Sequence, residues 1–212
     1  MNLQNYYYYF KNALTPRFCD ELIKYGVSQQ EQLGFTGDQT KKLNKNKPLS
    51  KKDINDLKKK RDSNVVWLND AWIYKEIHPF IHRANKDAGW NFDWDFSESC
   101  QFTKYKLNQF YDWHCDSWNG PYDMVNDKNI HGKIRKLSVT CSLSHPEDYE
   151  GGELEFNFRN TDPGKESFKK CDEISSRGSI VVFPSHVWHR VRPVTKGIRY
   201  SLVIWNLGFP FK

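Results

Sequence analysis

The spacing of turns in the second half of the chain restricts its fold more than any other feature. From about Cys100 onward, short runs rich in β-branched and aromatic residues follow one another: "SCQFTKYKL", "FYDWHCD", "RKLSVTCSLS", "GELEFNF", "GSIVVFP", "HVWHRVRPV" and "IRYSLVIWNL". Gly120-Pro121, Pro146, Gly151-Gly152, Pro163-Gly164, Pro184 and Gly197 punctuate them. Seven or eight strands at this spacing predict a β-sandwich or barrel. With aromatic residues at 16% and hydrophobic residues at 38%, a disordered chain is excluded.

The first half reads as mixed and largely helical. Thr15 followed by Pro16 is a helix start, a hydroxyl cap and then a proline at the first helical position. That helix runs through "RFCDELIKYG", with Phe18, Leu22 and Tyr25 on one face. A second helix is predicted over "DAWIYKEIHPFIHRANKDAG", where Trp72, Ile73, Ile77, Phe80, Ile81, Ala84 and Ala88 recur at three- and four-residue steps. Pro79 is expected to kink it. The fold class is therefore α+β, with helices packed outside a sandwich. Residues 1–97 form a supporting region and 98–212 the main domain, together one structural unit.

The net charge of +6 is concentrated in one place. Residues 41–61, "KKLNKNKPLSKKDINDLKKKR", carry ten Lys/Arg and two Asp, a charge of +8, so the other 191 residues sum to −2. This segment is expected to be an extended, solvated loop. The five cysteines are odd in number, widely spaced and without a C-x-x-C pair, so neither a disulfide framework nor a cysteine zinc site is indicated. No apolar run approaches the ~18 residues of a membrane span, and "MNLQNYYYYFKN" lacks the basic-then-apolar order of a secretory signal. The expectation is a cytoplasmic protein with no membrane partner.

Three pieces carry chemistry. In "YDWHCDS", an extended backbone puts His114 and Asp116 on one face and Cys115 on the other. An imidazole and a carboxylate so placed can share a metal ion. In "VVFPSHVWHRVRPV", His186 and His189 compete for a third position. On a straight strand His189 shares its face with the β-branched Val187 and Val191, which suit a buried face, so His189 is the inward candidate and His186 the surface residue. Two histidines and one carboxylate make the facial triad of non-haem Fe(II) oxygenases. Third, Arg199 opens the apolar strand "YSLVIW", where a guanidinium fork would pair with a carboxylate. His78 and His82, four apart on the second helix, have no third ligand nearby and read as surface residues.

The pattern "YKLNQFYDWHCDS … LSVTCSLSHPEDYEGGELEF … GSIVVFPSHVWHRVRPVTKGIRYSLVIW" resembles the prolyl 4-hydroxylase branch of the 2-oxoglutarate- and Fe(II)-dependent dioxygenases, above all the PKHD-type hydroxylases. The resemblance covers roughly residues 98–207. It implies a double-stranded β-helix (jelly roll) core. It also implies that His114, Asp116 and His189 hold iron, that Arg199 and Tyr105 bind 2-oxoglutarate, and that O2 is consumed, with ascorbate as an optional reductant. Gly151, Gly152 and Glu153 match a structural hairpin. Where the family has glycine just before "QFY", this chain has Asn108. Trp113, Trp118 and Tyr111 lie close to the proposed ligands and are candidates for substrate contact, since proline-rich segments dock on aromatics.

The function expected is hydroxylation of a C–H bond, with peptidyl proline the leading target and succinate and CO2 as by-products. The partner is then a protein or peptide. One alternative is an oxygenase acting on nucleic acid, which the lysine segment favours; the N-x-T-x-R signature of nucleic-acid demethylases is absent from "VRPVTKGIRYS". Another is a non-enzymatic jelly-roll binding module, disfavoured by the intact triad.

Overall fold

The computed structural model describes residues 2–35, 50–117, 120–158 and 168–211. Their elements in chain order are β1 (Tyr8–Phe10), α1 (Pro16–Ser28), β2 (Gln32–Leu33), α2 (Lys51–Lys58), β3 (Arg61–Asp62), β4 (Asn64–Leu68), α3 (Ala71–Asp87), β5 (Phe96–Ser97), β6 (Cys100–Tyr105), β7 (Phe110–His114), β8 (Ile134–Ser142), β9 (Tyr149–Gly151), β10 (Leu154–Asn157), β11 (Phe168–Lys170), β12 (Ile180–Pro184), β13 (Trp188–Val191), β14 (Val194–Gly197) and β15 (Arg199–Gly208). The larger sheet runs β1-β12-β8-β15-β6-β4-β2, with β5 beside β15; the smaller runs β11-β10-β13-β7-β3. A short ribbon pairs β14 with β9.

The two helices read from periodicity form where the sequence places them. Thr15 Oγ1 accepts a hydrogen bond from the Phe18 N–H at 3.1 Å, and Pro16 opens α1. α1 buries Phe18, Cys19, Leu22 and Gly26. Gly26 has a packing reason: a Cβ there would lie 2.6 Å from the Phe102 ring of β6. α3 buries Ile73, Ile77, Ile81 and Ala84 and is continuous through Pro79. Both helices cover one face of the larger sheet, against Leu137, Val139, Cys141, Leu202 and Ile204. Each such buried aliphatic side chain stabilises by about 1.5–3 kcal/mol.

The other face of that sheet is polar. Successive residues of a strand alternate between faces, so Ser138, Thr140 and Ser142 of β8, Arg199 and Ser201 of β15, and Gln101, Thr103 and Tyr105 of β6 look toward the smaller sheet. All are buried. The sheets meet through Phe156 of β10, Phe183 of β12 and His189 of β13, whose ring centroids lie 4.7–5.1 Å from Phe183. This is the jelly roll the sequence predicts, with its helices outside.

The first half is mixed and largely helical, as its sequence reads, with the short strands β1 to β5 set among α1, α2 and α3. One expectation is corrected. The segment 41–61 is not an open loop where it is described: Ser50 and Asp53 form a reciprocal capping box, residues 51–58 are α2, and Leu57 is fully buried. Residues 41–49 lie outside the described residues. Among the described residues, no helix is long and apolar enough to cross a membrane.

Candidate metal centre

His114 ends β7, opposite His189 of β13. Tyr111 pairs with Val191, so two residues of β7 face the single Arg190 between these pairs, which is a β-bulge. In an unbroken strand Tyr111 and His114 would point to opposite faces. The bulge brings both inward, and their rings stack with centroids 3.5 Å apart. Asp116 lies beyond the end of the strand. Its N–H and that of Ser117 both donate to the Ser185 carbonyl, at 2.9 Å, which folds the chain back over β12. The straight-strand picture of H-x-D is thus corrected, yet the two side chains converge.

His114 Nε2 stands 3.7 Å from Asp116 Oδ1, and His189 Nε2 stands 3.6 Å from Asp116 Oδ2. One ligand atom from each residue lies within 4.8 Å of the others. Each Nδ1 faces a main-chain carbonyl, Asp112 O at 2.8 Å and Val187 O at 3.0 Å. An Nδ1–H donating there leaves the Nε2 lone pair for a metal. Burial, reinforced by His189, pushes the His114 pKa down to about 3, so the ring is neutral. Burial pushes the Asp116 carboxyl up, but His189, His114, Arg135 and a hydrogen bond from Ser138 outweigh it and hold it below the usual carboxylate value. Two imidazoles and one carboxylate make a donor set suited to a divalent transition metal.

Arg199 and Tyr105 face each other across β15 and β6, with the guanidinium 5.5 Å from the ring centre. Arg199 is buried; its Nη1 donates to Ser201 Oγ at 3.2 Å, and it has no carboxylate partner among the described residues. Gly152 makes room for it, since a Cβ there would meet Arg199 Cδ at 2.8 Å. A buried, unpaired guanidinium calls for an anion. Asn108 has φ +64°, the left-handed conformation that glycine adopts freely and asparagine tolerates.

The other candidates separate. His186 is exposed and lines a groove of about 320 Å³ with Tyr6, Phe158 and Trp188. Tyr111 stacks on His114 and so braces a ligand. Trp113 packs against the Arg190 guanidinium at 4.5 Å. Arg190 adjoins His189 and takes the opposite face of β13, so Trp113 lies on the face away from the triad. Trp118 lies outside the described residues. His82 stacks on Trp94 and His78 bonds Ser97, apart from the centre. Sequence reasoning missed Arg61, whose guanidinium lies 4.5 Å from the Tyr111 ring. It ends a lysine run that reads as solvated charge, and only the alternating "NVVWL" after it signals a strand.

Residues 100–206 match the model of the 2OG-Fe(II) oxygenase superfamily. A PKHD-type hydroxylase of Synechococcus sp. (strain JA-2-3B'a(2-13)) is 41% identical over 69 residues, 32% of this chain and 27% of that protein. Curated relatives are matched over only about a quarter to two fifths of their length. The viral collagen prolyl hydroxylase of Paramecium Bursaria Chlorella virus-1 superposes with a TM-score of 0.62 over 97% of both chains at 18% identity. A prolyl hydroxylase of Trichoplax adhaerens, solved with a hypoxia inducible factor peptide fragment, gives 0.62 over 96% of this chain and 84% of its own at 17% identity. These likenesses show the fold. The donor set fits the iron of the matched family, and the unpaired Arg199 fits its dicarboxylate co-substrate. With the matched stretch spanning half the sequence and containing every residue of this centre, the chain belongs to the 2OG-Fe(II) oxygenase superfamily.

Proposed function

We propose that this chain is an Fe(II)- and 2-oxoglutarate-dependent hydroxylase acting on a C–H bond of a peptide, with a prolyl residue as target. The observation that carries this reading is the convergence of a His-Asp-His donor set with a buried guanidinium that lacks a carboxylate among the described residues. His114, Asp116 and His189 would hold the metal. Arg199 would take the distal carboxylate of 2-oxoglutarate, with Tyr105 opposite it. Bound iron and 2-oxoglutarate supply oxygen activation, releasing CO2 and succinate as one oxygen atom enters a C–H bond.

The chain's own contribution is orientation and shielding. The Asp112 and Val187 carbonyls fix the two imidazoles, and Tyr111 braces His114. Phe183 and Phe156 pack beside His189 and keep water from it. The peptide assignment is supported by the Trichoplax prolyl hydroxylase, which is in complex with a peptide fragment. The test is incubation of anaerobically purified protein with Fe(II), 2-oxoglutarate, ascorbate and proline-rich peptides, followed by air. A +16 mass shift coupled to succinate is expected. Succinate production with no modified peptide anywhere in the library would reject the prolyl assignment.

A further inference from the structure

We propose that Arg61 receives a carboxylate side chain of the substrate, so that the substrate class is a peptide carrying aspartate or glutamate beside the residue hydroxylated. This deepens the hydroxylase reading and rests on it. The argument is a matching of charges. Buried or half-buried arginines elsewhere have a carboxylate: Arg135 pairs bidentately with Glu98 at 2.7 and 2.5 Å, Arg190 with Glu155 at 2.6 Å, and Arg177 with Asp20 at 2.5 Å. Two buried guanidinium groups have none among the described residues, Arg199 and Arg61. 2-Oxoglutarate has two carboxylates. The one beside the keto group belongs at the metal, and the distal one accounts for Arg199. Nothing accounts for Arg61.

Arg61 is 3% exposed. Its Nε donates to Ser63 Oγ at 2.8 Å and its Nη1 to the Phe35 carbonyl at 2.9 Å. Its Nη2 is buried with no acceptor among the described residues. A buried charge left unpaired is costly, and an anion from outside offsets that cost. The location is apt, because the guanidinium lies over Tyr111 and Tyr111 stacks on the ligand His114. The approach is charged to match. Arg61 follows α2, and Lys51 and Lys52 of α2 and Lys60 just after it are exposed without an ion pair among the described residues. Such a field draws in an acidic chain and is screened by salt. Residues 50–60 contain no aromatic side chain on which a nucleobase could stack, which favours an acidic peptide over a single-stranded nucleic acid.

The test uses three otherwise identical proline peptides whose residue beside the proline is Asp, Asn or Lys. They are titrated by calorimetry, without oxygen, into the full chain loaded with Fe(II) and 2-oxoglutarate; air is then admitted and the +16 product measured. The Asp peptide should bind about tenfold or more tightly than the Asn isostere, with Lys weakest and the gap narrowing at high salt. Arg61→Gln should reduce the Asp/Asn ratio to about two or less, while Arg61→Lys keeps part of it. If Arg61→Gln fails to fold, the Asp/Asn comparison in the native protein and in Arg61→Lys decides. Equal binding of Asp and Asn peptides, a preference that survives Arg61→Gln, or binding of an RNA dodecamer in place of every peptide would each overturn the proposal. An Asp peptide that binds selectively yet gains no oxygen would instead reject the hydroxylase reading.

Discussion

Both imidazoles of the centre are held by main-chain carbonyls, which makes their orientation a property of the backbone. Metal affinity should therefore depend on the ligand side chains alone. His114→Ala and His189→Ala are each expected to abolish Fe(II) binding measured by calorimetry, with near-native melting of the metal-free protein, while His186→Ala binds iron as the native chain does. Loss of binding in His186→Ala with His189→Ala unaffected would show that the wrong histidine had been assigned. Arg199→Ala should weaken 2-oxoglutarate by about 2–5 kcal/mol, the range for truncating one partner of a buried charge pair; unchanged affinity would remove its role. Acidity gives a separate handle on His114. Its folded pKa is about 3, pushed down by burial and then by His189, against about 6.5 unfolded. The unfolded chain thus takes up a proton that the folded chain refuses. Stability of the metal-free protein should fall as pH drops from about 6.5 toward 3, by up to about 1.4 kcal/mol per pH unit from this group. His114→Asn removes the titrating ring, so its melting temperature should decline less steeply over that window. Parallel pH profiles would show that His114 does not carry the linkage.

Among the elements, α1, α3 and seven of the ten strands described from Cys100 onward are legible in the sequence because their apolar period is local and each is long enough to show it. The triad is legible for a related reason, since alternation alone separates His189 from His186. What escapes is whatever another element supplies. The bulge in β7 depends on its pairing with β13, so Tyr111 joins the face of His114, to which a straight strand would set it opposite, while Trp113 keeps the opposite face. α2 is hidden by its own lysines. Five of its eight residues are Lys or Asp, and only Leu57, with half-buried Ile54, marks an inward face. This leads to a prediction at the scale of the element. Leu57→Ala should destabilise the protein by about 2–5 kcal/mol, as for other large-to-small changes in a core. Ser50→Ala should cost about 0.5–2 kcal/mol through the lost cap. Urea unfolding of both variants checks this, and native midpoints in both would restore the open-loop picture of this segment.

For the whole molecule, the larger sheet is the unit that holds the site in place, and it draws on both halves of the chain. β4 flanks β6 on one side, β1 closes the edge beside β12, and α1 and α3 cover the face opposite the metal centre. This pairing between distant segments leaves little trace in the sequence, because β1, β2, β3 and β5 are only two or three residues long and show no period. The division at residue 97 therefore separates two kinds of sequence pattern within one folded body. Residues 98–212 alone would lose the cover over Leu137, Val139, Cys141, Ile180, Val182, Leu202 and Ile204, all fully buried in the intact chain. At about 1.5–3 kcal/mol for each side chain returned to water, the loss exceeds or matches the whole stability of a typical domain, about 5–15 kcal/mol. The fragment should accordingly bind a hydrophobic dye, lack a cooperative thermal transition and hold no iron, whereas the full chain melts once and cooperatively. A fragment 98–212 that melts cooperatively and binds Fe(II) with native affinity would show instead that the jelly roll is self-sufficient and that α1 and α3 merely decorate it.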